Sequence, residues 1–199
     1  MELILDGEIY TEGINEDNIA TKIQECVDQV NLEGKLIKQV FLNGEKTPEI
    51  LQQPEVIYEK AGEEGIKKVE LVSVTQGELV DETLETLTGY LTNLDEYIHK
   101  LANSIKNGDI PDKESILPLT DSLEWVFQAA NGLVITLQDS EIKEKVDELQ
   151  DTFSDILNSL KKEDYSAFGE IIENELASKL EDIRIHFSKK LEKRRGSEN

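Results

Sequence analysis

The sequence predicts an α+β N-terminal domain over residues 1–75, an all-α antiparallel four-helix bundle over residues 78–195, and a disordered tail at 196–199. Three observations carry this expectation. The chain opens with short apolar runs around an Asp-Gly pair. From Val80 onward apolar residues recur every 3.5 positions. The same spacing returns on later segments, separated each time by turn residues. With 199 residues, 38% of them hydrophobic, the chain can bury a core without disulfides or metals.

Asp6-Gly7 lies between Leu3–Leu5 and Ile9–Tyr10, and such a pair favours the positive φ angles of a tight hairpin turn. Two antiparallel strands follow. Asn15 or Asp17 can cap a helix with Ile19, Ile23, Val27 and Val30 on one face, ending near Gly34. Residues 36–42 read as a strand stopped by Asn43-Gly44, and residues 69–74 as a last strand. The order ββα followed by strands, with Val40-Phe41-Leu42-Asn43-Gly44-Glu45 after the helix, resembles the β-grasp superfold and its small sulfur-carrier, ubiquitin-like members. Those carriers activate a terminal Gly-Gly, whereas this chain ends Gly196-Ser197-Glu198-Asn199. The resemblance therefore implies a fold and a recognition surface rather than a carrier activity.

The second part begins with Val80, Leu84, Leu87, Leu91, Leu94, Ile98, Leu101 and Ile105, a 4, 3 alternation that keeps one seam along a helix. Asn107-Gly108 and Pro111 end it, and Asp112 is suited to cap the next helix. Ile142, Val146, Leu149, Phe153, Ile156 and Leu160 form a third helix. Phe168, Ile172, Leu176, Leu180, Ile183, Phe187 and Leu191 form a fourth. Short connections make neighbouring helices antiparallel.

The second helix differs, because from Leu123 to Leu137 its apolar residues point to most of the circumference. Trp125 and Phe127 lie about 200° apart, so one seam cannot hold both. The helix either packs on the N-terminal domain as well, or offers a dimer or partner surface, with Trp125, Phe127 and Ile135 as the candidate contacts.

Charge and chemistry limit the function classes. The formal net charge is -22, spread over both parts, which disfavours nucleic acid and anionic membrane surfaces as partners. Cys26 is the single cysteine and falls on a helix face, as a buried apolar residue would. The N-terminus lacks the pattern of a signal peptide and no stretch reaches the roughly 20 apolar residues of a membrane span, so a cytoplasmic location is expected. Glu96-Tyr97-Ile98-His99 is one Glu-x-x-His unit, where di-iron bundles need two with further carboxylates. His99 and His186 both flank their seams and read as surface residues.

No nucleotide-binding or hydrolase motif occurs, and no catalytic residue, metal or cofactor is expected. Lys189, Lys190, Lys193, Arg194 and Arg195 either complement the dipole of the last helix or meet the acidic surface of another subunit or partner. The expectation is a non-enzymatic bacterial interaction protein, an adaptor or assembly factor. The alternative is a cytoplasmic chaperone for secreted or filament-forming subunits.

Overall fold

Asp6 and Gly7 take φ values of 51° and 85°, so the Asp-Gly pair makes the hairpin turn expected of it and joins β1 (Glu2–Leu5) to β2 (Glu8–Glu12). In this computed structural model the described residues are 1–15, 17–52, 56–58 and 65–197. The chain divides into two units, Met1–Leu79 and Val80–Asn199. No helix among the described residues is long and apolar enough to cross a membrane.

The first unit is a five-stranded mixed sheet in the order β2-β1-β5-β3-β4. Its remaining strands are β3 (Lys35–Leu42), β4 (Glu45–Lys46) and β5 (Lys68–Thr75). β1 runs parallel to β5, with Leu3 opposite Val69 and Leu5 opposite Leu71, and every other pairing is antiparallel. Helix α1 (Ile19–Leu32) buries Ile19, Ile23, Cys26 and Val30 in one core with Leu3, Val40, Leu42, Val69 and Leu71. Its cap is Asn18, one position beyond Asp17. The Asn18 side chain accepts from the Asn15 amide at 3.0 Å, and the Asn15 side chain accepts from the Asn18 amide at 3.1 Å. A short helix α2 (Glu49–Gln52) follows β4.

Asp6 also ties the hairpin to the sheet. Its carboxylate accepts from the Ser73 amide at 2.7 Å and the Ser73 hydroxyl at 2.6 Å. Burial opposes its charge, yet the Ser73 bonds and nearby Lys35 outweigh that and hold the carboxyl below its ordinary value.

β5 passes directly into α3 (Gln76–Lys106) through a capping box. The Glu78 amide donates to the Thr75 hydroxyl at 3.1 Å, and the Glu78 carboxylate accepts from the Thr75 amide and hydroxyl at 2.9 and 2.7 Å. The Thr-x-x-Glu spacing carries this signal in the sequence. Helices α4 (Lys113–Leu137) and α5 (Ser140–Lys161) follow, with Asp112 and Asp139 as side-chain N-caps.

The last rod begins at α6 (Tyr165–Ile171), capped by Asp164, widens into a π turn at Ile172–Leu176, and continues as α7 (Ala177–Ser197). Helix therefore extends through Gly196 and Ser197, where the sequence predicts a tail, because one glycine costs only about 1 kcal/mol in an otherwise favourable helix. Glu198 and Asn199 lie outside the described residues.

One apolar core serves all these helices. It contains Val80, Leu84, Leu87, Leu91, Leu94, Ile98 and Leu101 of α3, Ile142, Val146, Leu149 and Ile156 of α5, and the whole stripe from Phe168 to Leu191. Ile105, Phe153 and Leu160 are partly buried at its edge. The heptad spacing thus selects the inward face in each case.

Candidate functional site

The outward face of α4 departs from the pattern of polar outside and apolar inside. Leu119, Leu123, Val126, Ala130 and Leu133 point into the core. On the opposite side lie Leu117, Asp121, Glu124, Trp125, Gln128, Asn131, Gly132 and Ile135, all exposed. From Trp125 to Gln138 the helix carries no ionisable side chain, in a chain that is 32% charged. Ile135 is 76% exposed and Trp125 37%. A β-carbon added at Gly132 would meet nothing within 4 Å, so the backbone itself is open to an approaching surface.

The Trp125 ring is held in place. It lies against Tyr90 of α3 with ring centroids 4.6 Å apart and planes at 55°. Tyr90 in turn donates to the Ser122 hydroxyl at 2.7 Å, and Ser122 donates to the Pro118 carbonyl at 2.5 Å. One turn pair earlier on the same flank, the Tyr97 hydroxyl donates to the Ser115 carbonyl. Pro118 has no amide hydrogen to give its helix, and these two tyrosines, seven residues apart, supply bonds across to the segment it weakens. The indole is therefore held in place by Tyr90 while 37% of the residue stays exposed.

The three candidate contacts of the sequence thus separate. Trp125 and Ile135 lie on the outward side of α4. Phe127 packs at the edge of the core beside Phe153, with centroids 5.7 Å apart. Sequence spacing shows that Trp125 and Phe127 diverge but not which one faces inward.

A second, polar cluster sits where α5 begins, against α7. The Asp139 side chain, 8% exposed, caps α5 by accepting from the Glu141 and Ile142 amides at 3.1 and 3.2 Å. It also contacts His186 Nε2 at 3.0 Å and Lys190 Nζ at 2.6 Å. Burial opposes the charge, but Lys190, His186 and the Ile142 amide together hold the carboxyl well below the ordinary carboxylate range.

This corrects the reading of His186 as a surface residue, since its side chain is only 10% exposed. His99 is exposed and stands 3.5 Å from Asp95. The physical reason for the difference is that the residue facing His186 lies 47 positions away, in the cap of another helix, where helical periodicity gives no signal. An Asp directly before an apolar-periodic run is readable as a cap; its use as a tertiary anchor is not.

Three of the five basic residues toward the end of α7, Lys190, Arg194 and Arg195, are likewise engaged within the helical unit. Arg194 pairs with Asp81 and Arg195 with Glu85 at 2.9 Å, both acids lying on α3. Elsewhere, the Cys26 thiol is pushed up to about 11, chiefly by burial and then by Asp6 and Glu33, so it stays protonated near neutrality. Among the described residues no three His, Cys, Asp or Glu side chains converge as a metal site would require.

Residues 82–186 match the model of a domain of unknown function, DUF8042. The chain belongs to that family. The DUF8042 region runs from the second turn of α3 to His186, so it includes the outward face of α4 and the Asp139–His186 pair. The sheet and Lys189 to Arg195 lie outside it. No curated protein and no solved structure matches the chain.

Proposed function

We propose that the protein is a non-enzymatic, cytoplasmic bacterial interaction module, an adaptor or assembly factor, that docks a partner protein on the outward face of α4. The observation that carries this reading is the uncharged run from Trp125 to Gln138 with Trp125 and Ile135 turned outward. Aromatic anchors beside charge-depleted surface are the usual core of protein interfaces. The partner that fits is a helix with an apolar stripe, laid along α4 over Gly132 with its own small or apolar residues against the open backbone.

The sheet unit is read as β-grasp-like, supported by the strand order β2-β1-β5-β3-β4 with α1 on its core face. The helical unit is read as an antiparallel four-helix bundle, supported by four rods that share one core through short connections.

The test places a photo-crosslinking residue at Ile135 in cells, with the same residue at Asp155 of α5 as reference. A discrete adduct from position 135 that is missing from position 155, and that is lost when Trp125→Ala is added, supports docking. An adduct that proves to be a second copy of the chain replaces the partner reading with self-association. A smear shared by both positions contradicts both.

A further inference from the structure

A groove of about 380 Å³ runs between the start of α5 and the second half of α7, lined by Glu141, Lys145, Ile185, His186, Lys189 and Lys193 among others. That volume falls at the lower end of the range for small-molecule sites. On α7 the spacing of His186, Lys189 and Lys193 keeps all three on one side of the helix, facing Glu141 and Lys145 one turn apart on α5.

The charges here are arranged unlike those nearby. Lys190 is paired with Asp139, which also takes His186 Nε2 and the first amides of α5. Lys145, Lys189 and Lys193 have no carboxylate at ion-pair distance among the described residues, although acids outnumber bases two to one along the chain. The two carboxylates that share the lining, Glu141 and Asp182, are exposed. Glu141 reaches only 3.4 Å from His186 Nδ1 and is 69% exposed, so it is a replaceable partner for that nitrogen.

We propose that this groove binds a small phosphorylated compound, with a phosphate group displacing Glu141 from His186 Nδ1 and bridging Lys145, Lys189 and Lys193. Three converging ammonium groups suit a compact multiply charged phosphate. They are point-charge donors without the planar fork that selects a single carboxylate. Ile185, 37% exposed, gives the organic remainder an apolar wall. A polyanion such as nucleic acid is disfavoured because most of its length would face a chain of net charge -22, whereas charges beyond about 8 Å of a compact anion are screened at physiological salt. The site is separate from the outward face of α4 and does not depend on the docking reading.

The probe is sodium pyrophosphate, titrated into the full chain at constant ionic strength and followed by the backbone amide and imidazole resonances. Saturable shifts at His186 and across 185–193 are expected. In Lys189→Gln/Lys193→Gln, both changes being at exposed positions, the affinity should fall about fivefold. Glu141→Gln should strengthen binding, while Asp155→Asn, the same charge change some 14 residues further along α5, should leave it unchanged. Malonate at equal ionic strength should bind more weakly. The proposal is overturned by non-saturating shifts, by undiminished affinity in the double lysine variant, by equal gains in Glu141→Gln and Asp155→Asn, or by malonate binding as tightly.

Discussion

The Asp139 cluster and the outward face of α4 invert each other. At Asp139 a charged group is almost wholly buried, and every donor it needs is supplied by two backbone amides, His186 and Lys190. On α4 Ile135 stands 76% exposed and Trp125, 37% exposed, lies against Tyr90. Burying a charge is tolerated only when it is fully paired, so the first region is completed from within. Leaving Ile135 out brings the fold nothing, and on the proposed reading the second region is completed by a partner. Substitution should therefore unfold the first region and leave the second standing.

The largest effect is expected at Asp139. Asp139→Ala removes a helix cap, takes the partner from the nearly buried His186 imidazole and releases the partly exposed Lys190, and should cost about 2–3 kcal/mol in chemical denaturation at neutral pH. A loss below about 0.5 kcal/mol would dissolve the contrast.

Acid should expose the same anchor. The folded carboxyl titrates below its unfolded value, so its contribution is complete above the unfolded pKa of about 3.9 and drains as pH falls below that toward the folded value. Stability of the natural chain should therefore fall more steeply between about pH 4 and 2 than that of Asp139→Asn, which carries no carboxyl to titrate there. Parallel curves would remove the anchor role.

A middle effect is expected at Trp125, where Trp125→Ala loses one aromatic contact with Tyr90 and should cost about 1 kcal/mol. The smallest is Ile135→Glu, which should stay within about 0.5 kcal/mol of the natural chain in the same denaturation.

The two regions also differ in how far they could be read from the sequence. The seam of α3 was legible residue by residue, because a 3.5-residue period has one structural solution and Val80 through Leu101 occupy it. The excess apolar character of α4 was legible for the same reason, and so was the divergence of Trp125 from Phe127. Which of the two turned inward was decided by Phe153 and Tyr90, residues on other helices.

His186 was misread because its position beside the seam fits either surface or interface, and Asp139 decides between them across 47 residues. The pairing of Arg194 with Asp81 spans 113 residues and is equally invisible to local pattern. The Asp-Gly turn lies at the other extreme, since both of its backbone angles follow from two adjacent residues.

The measurement that bears most directly on the account combines stability and contact in one variant, Ile135→Glu, assayed by thermal melting of the purified chain and by crosslinking in cells from Gln128, one further exposed position on the same face of α4. A melting temperature within a few degrees of the natural chain is expected together with loss of the discrete adduct. An unchanged adduct, or a melting temperature that collapses with it, would contradict the claim that this face exists for a partner and not for the fold.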